Sequence, residues 1–97
     1  MIDGTYAVDI DTSVGMKKGE LELVSHGTEV DAEARALGFT FNASGTTDGE
    51  SFSFAGHVWV LLVSMPFTLD GKVEGDTVIA TGTAGEDITF SVKGTRQ

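Results

Sequence analysis

The stretch Val63-Ser64-Met65-Pro66-Phe67-Thr68-Leu69-Asp70 alternates apolar and polar residues without a fault. Side chains on a β-strand point to opposite faces with a period of two, so this reads as a strand with one buried face. A helix would repeat its apolar positions every 3.6 residues, and this stretch does not.

The same rhythm runs outward in both directions. Toward the N-terminus, Phe52 and Phe54 alternate with Ser51 and Ser53, and Phe39, Phe41 and Ala43 alternate with Thr40, Asn42 and Ser44. Before them come Val30, Ala32 and Ala34, then Leu21 and Leu23, then Tyr6, Val8 and Ile10, each set interleaved with charged or polar residues. Toward the C-terminus, Val78 and Ala80 alternate with Thr77 and Thr81, and Ile88, Phe90 and Val92 with Thr89, Ser91 and Lys93. Eight strands result. Turn signals separate them at Ser13-Val14-Gly15, His26-Gly27, Leu37-Gly38, Asp48-Gly49, Glu74-Gly75 and Ala84-Gly85. Only the fifth connection, within His57 to Leu62, lacks a Gly or Pro. Pro66 falls on the outward set of its strand, which predicts a bulge or a local edge.

An echo with a 26-residue offset reinforces the pattern. Phe41, Gly45, Gly49 and Gly56 recur as Phe67, Gly71, Gly75 and Gly82, and a weaker copy starts at His26-Gly27. One hairpin geometry is used repeatedly, as in an up-and-down sheet.

Ninety-seven residues form one domain, residues 1–97. Eight antiparallel strands, each with one apolar face, bury that face by closing into a barrel, which also removes the exposed edges. An even strand count places both termini at one end, so the first strand is free to pair with the last. The expected fold is therefore all-β: an eight-stranded antiparallel meander closed into a small barrel. A flattened barrel or two-sheet sandwich is the alternative.

Composition narrows the function classes. Fifteen Asp and Glu against six Lys and Arg give a net charge of -9, which disfavours phosphate backbones and anionic membranes. Without cysteine there is no disulfide framework, thiol nucleophile or Cys-based zinc site. No apolar run approaches the roughly 18 to 20 residues of a spanning helix, and Met1-Ile2-Asp3-Gly4 lacks the features of a signal peptide. A soluble, cytoplasmic protein is expected, with no nucleic-acid or membrane partner.

The segments Asp3-Gly4-Thr5-Tyr6, Gly71-Lys72-Val73-Glu74-Gly75-Asp76-Thr77-Val78 and Lys93-Gly94-Thr95-Arg96 resemble a family of small, uncharacterised bacterial β-barrel proteins, whose architecture is similar to that of the lipocalin and streptavidin folds. The resemblance implies a barrel with room for a small ligand, and supplies no catalytic residues. The proline of a Thr-Pro-Met-Gly-like turn is missing here from Thr12-Ser13-Val14-Gly15-Met16.

Several constellations invite a functional reading. In a meander the odd-numbered connections lie together and are apolar, contributing Met16, Leu37, Trp59, Val60 and Leu62 to one rim. These are the expected ligand-binding or interface residues, because hairpin tips are normally polar and an exposed apolar cluster marks a mouth or an interface. In the plainer reading Trp59 folds over and plugs its own barrel.

Inside, Ala32, Ala34, Ala43 and Ala80 sit among large aromatics, either as a cavity or as the filling of a tapered barrel. Tyr6 is the only phenol on the inward set, and its hydroxyl needs a polar contact in the interior. Outside, Asp9, Asp11, Glu20, Glu22, Glu29, Asp31 and Glu33 make an acidic face, with Asp9 expected near Glu20 and Glu22 near Asp31. Such like-charge pairs cost roughly 0.2 to 1 kcal/mol each. No loop has the spacing of a calcium site, so no metal or cofactor is expected. His26 and His57 fall at opposite ends and cannot share a catalytic centre.

The sequence thus predicts a non-enzymatic barrel that takes a small apolar molecule at its apolar rim. The alternative is an interaction module, in which the Trp59 region meets a second copy in a homodimer or a larger enzyme.

Overall fold

In the computed structural model, residues 2–13, 15–36, 38–60 and 63–97 are described, with all their side chains except those of Phe39, Val58, Trp59, Val60 and Val63. The eight alternating segments become eight strands: β1 (Gly4–Thr12), β2 (Gly15–His26), β3 (Glu29–Ala36), β4 (Phe39–Thr47), β5 (Ser51–Val60), β6 (Val63–Glu74), β7 (Thr77–Ala84) and β8 (Ile88–Arg96). Each pairs antiparallel with its neighbour in sequence, and β1 pairs with β8 from Tyr6↔Arg96 to Thr12↔Phe90. The sheet is a closed barrel, which disposes of the sandwich alternative. Pro66 lies in register opposite His57 on the outer face of β6, and the pairing runs through it without a bulge.

The residues on the inward parity build the core. Its centre is Tyr6, Leu23, Val30, Phe54 and Val78, all essentially without solvent contact. Ile2, ahead of the first strand, is 1% exposed and closes the barrel at the end that holds both termini. A polar latch fixes that closure. The Tyr6 hydroxyl donates to the Ile2 carbonyl at 2.7 Å and accepts from Arg96 Nη2 at 2.7 Å, while the Arg96 guanidinium lies 5.3 Å from the centre of the Tyr6 ring. Arg96 also reaches Asp76, and its backbone amide donates to the Asp76 carbonyl. The phenol therefore has the interior polar contacts that its burial demands.

Glycines within the strands fall on the same inward parity, and at Gly82 the reason is steric. A Cβ there would stand 2.5 Å from the Phe90 ring and 2.5 Å from the Thr68 carbonyl oxygen. Strand β7 passes so close to its neighbours that only a residue without a side chain fits.

The acidic outer face differs from expectation. The register sets Asp9 opposite Lys18 and Glu20 opposite Arg35, not carboxylate against carboxylate. Lys18 pairs with Asp9 at 3.1 Å, and Arg35 bridges Glu33 at 3.0 Å and Glu20 at 3.6 Å. Val24, not Glu22, faces Asp31, and the like-charge pair that does form is Glu22 with Glu33. The long β1–β2 hairpin brings the basic pair Lys17-Lys18 up beside β1, a placement that depends on register rather than composition.

One junction is unlike the others. Among the described residues, β4 and β5 pair from Gly45↔Phe54 to Thr47↔Phe52, three positions, whereas β5 and β6 pair over ten. Beyond Gly45 the register between β4 and β5 stops, on the side of the odd-numbered connections.

Candidate functional site

The inward-facing residues divide by height in the barrel. In the half near the termini they are buried: Tyr6, Leu21, Leu23, Val30, Phe52 and Val78 among them. In the other half the same inward parity carries residues that are only partly covered, including Ile10, Ala34, Phe41, Met65, Phe67 and Phe90. Ile88, the first residue of β8, is 45% exposed. Among the described residues the barrel thus has a packed base at the terminal end and a less completely covered opposite half.

Local sequence explains the shape of its wall. Small residues, Ala34 and Ala36 on β3 and Gly56 on β5, leave space where the base has Leu, Val and Phe. The Phe67 ring leans over Gly56, 3.3 Å from where a Cβ would stand, and the Met65 methyl reaches Gly85 in the β7–β8 turn. The described β4–β5 pairing lies toward the terminal half of the barrel. Of the interior alanines, Ala32 and Ala80 are buried, whereas Ala34 and Ala43 are half-buried, Ala43 standing directly opposite Ala32.

The expected rim residues are placed as follows. Met16 is 61% exposed and lies opposite Asp11, on the outer face of the β1–β2 hairpin. Its neighbour Lys17 takes the inward parity instead, opposite Ile10. Trp59 and Val60 belong to β5, opposite Ser64 and Val63, at the end away from the termini. Their side chains, and Leu37 and Leu62 entirely, lie outside the described residues. Tyr6 belongs to the base, at the terminal end. The lining residues Ile10, Met65, Phe67, Ile88 and Phe90 were legible only as core, because alternation tells which face a residue occupies and not how deep it sits.

The outer surface holds a second candidate. A shallow depression of about 610 Å³ crosses β1, β8, β7 and β6, lined by Asp11, Thr68, Asp70, Thr81, Thr89 and Ser91. Its polar groups already serve one another and their neighbours: Thr68 and Thr83 share a hydrogen bond at 2.7 Å, and Asp70 accepts one from Ser53 at 2.5 Å. It is a wide, shallow concavity lined mostly by polar side chains, unlike the enclosed apolar pockets that take small apolar molecules.

Several charged groups near the ends make local contacts. Asp3 accepts hydrogen bonds from the Ser25 hydroxyl and amide, which hold its carboxyl below the ordinary range. The Tyr6 hydroxyl and nearby carboxylates hold the Arg96 guanidinium above its own. His26 lies 3.4 Å from Asp31 at the end of β2, and His57 stands exposed on β5 opposite Pro66. Among the described residues no group of three or more His, Cys, Asp or Glu side chains is arranged to hold a metal ion.

No family profile matches the chain, and a search of curated proteins finds no match. Among solved structures the chain is similar to a redesigned β-barrel, b11L5F_LGL, with a TM-score of 0.68 and 12% identity over 99% of this chain and 91% of that one. It is equally similar to a second redesigned β-barrel, mFAP1, solved bound to DFHBI, with a TM-score of 0.68 and 11% identity over 98% and 94% of the two chains. At these identities the likeness concerns the fold, a closed eight-stranded barrel. These findings support a small β-barrel, and not the bacterial family that the sequence resembles.

Proposed function

We propose that the protein is a non-enzymatic barrel that takes a small apolar molecule into a cup at the end away from the termini. One observation carries this: the large apolar inward-facing residues of the terminal half are buried, whereas Ile10, Phe41, Met65, Phe67 and Phe90 in the other half are only partly buried. Filling the cup would remove from water the apolar surface of Ile10, Phe67 and Phe90, at roughly 25 cal/mol per Å² buried. That a barrel of the same fold, mFAP1, was solved with DFHBI bound supports the reading, since this architecture has room for a small molecule.

Native mass spectrometry of the purified protein, followed by an NMR titration with 1-octanol, tests it. A retained adduct of a few hundred daltons, or octanol-induced shifts confined to Ile10, Ala34, Met65, Phe67 and Phe90, is the expected result. No adduct together with no shift at saturating octanol would overturn it. A clean dimer without adduct would instead transfer the Trp59 region to an interface between copies.

A further inference from the structure

The inward parity carries almost no charge. Reading every strand in register, the ionisable side chains on that face among the described residues are Arg96, held in the latch at the base, Tyr6 beside it, and Lys17. Lys17 occupies the fifth inward position of β2, after Ser25, Leu23, Leu21 and Gly19, two residues past the last position paired with β3, and stands opposite the partly buried Ile10. It is itself exposed.

The other cations near it are committed. Lys18 is paired to Asp9, and Arg35 to Glu33 and Glu20, all on the outer face. Lys17 has no ion pair among the described residues, although the chain holds fifteen carboxylates for six basic side chains. Asp11 stands on the opposite face of the hairpin, and Glu86 and Asp87 lie in the exposed β7–β8 turn, with β8 and β1 between that turn and β2.

We infer that the cup selects an amphipathic anion: an apolar chain or ring system below, and a carboxylate or similar anionic head at the rim against Lys17. The inference rests on the cup being a binding site. A lysine at such a rim lays its methylene stem along the apolar wall and keeps its ammonium in water, which suits a ligand whose charge stays at the surface. The net charge of -9 does not prevent this, because charges more than a Debye length of about 8 Å away are largely screened at physiological salt.

Octanoate, 1-octanol and octylammonium share one apolar chain and differ in head charge, so titrating each into isotopically labelled protein at 0.15 M salt isolates the role of the head. Octanoate is expected to bind about two- to fivefold more tightly than octanol, the range for an exposed ion pair, and octylammonium more weakly than either. Lys17→Gln removes the octanoate preference and Lys17→Glu reverses it, while Lys93→Gln, on the outer face of β8, leaves it intact. If octanol and octanoate shift the cup residues with equal affinity, the anion inference falls and the apolar cup stands. If none of the three shifts those residues, the cup reading falls and the inference with it.

Discussion

Asp3 shows how one side chain ties the N-terminal segment to the barrel. Its carboxylate receives the Ser25 hydroxyl at 2.5 Å and the Ser25 amide at 2.9 Å, so the residue after the Ile2 plug is anchored to the end of β2. Both bonds favour the ionised form, and the carboxyl holds its proton less readily folded than unfolded. The unfolded chain therefore takes up the proton first as pH falls. The stabilisation is complete above the unfolded value of about 3.9 and is lost as pH drops through the lower folded value. Thermal melts from pH 6 to pH 2 are expected to fall below pH 4, and Asp3→Asn should flatten part of that fall while lowering the plateau. An unchanged acid limb in the variant would show that Asp3 is not one of its sources. Asp48, which accepts the Glu50 and Ser51 amides in the β4–β5 turn, is depressed in the same sense and supplies a further part.

At the scale of elements, the 26-residue echo is real in the turns and broken in the pairing. Gly49 and Gly75, its matched tips, both take positive φ, at 105° and 61°. Yet the β6–β7 hairpin stays in register over eight positions and the β4–β5 hairpin over three. The β6–β7 turn spans two residues between Glu74 and Thr77, whereas Asp48 to Glu50 put three between β4 and β5. Hydrogen exchange should register the difference: amides of β5 beyond Phe54 that face β4 are expected to exchange much faster than those facing β6, which are held by the ladder through Val60. Equal protection on the two sides would mean that the seam is closed in solution. All eight strands and their order were legible from alternation and turn residues, because both follow from local chemistry. The seam was not, since Phe39, Phe41 and Ala43 alternate as cleanly as any other segment and nothing local states how far two strands remain together. Lys17 was missed for a related reason. Its side of the sheet depends on the hairpin register, which begins at Thr12↔Gly15, and a shift of one residue would have exchanged it with Met16.

For the whole molecule, stability and openness occupy different ends of one barrel. The terminal end has the buried aliphatics, the Phe52 and Phe54 rings 5.7 Å apart, and the latch through Tyr6 and Arg96. The other end has the half-exposed apolar lining. A domain of this size has a net stability of the order of 5 to 15 kcal/mol, so the base must carry most of it if the mouth is to stay open. Leu23→Ala removes a side chain with no solvent contact and is expected to cost about 2 to 5 kcal/mol, enough to bring the chain within reach of unfolding. Met65→Ala truncates a half-buried side chain at the rim and should cost about 1 kcal/mol or less, with the chief effect on octanol affinity. Chemical denaturation of the two variants measures the contrast. Equal losses would show that the two halves share the folding energy evenly, and that the rim residues are core in function as well as in sequence pattern.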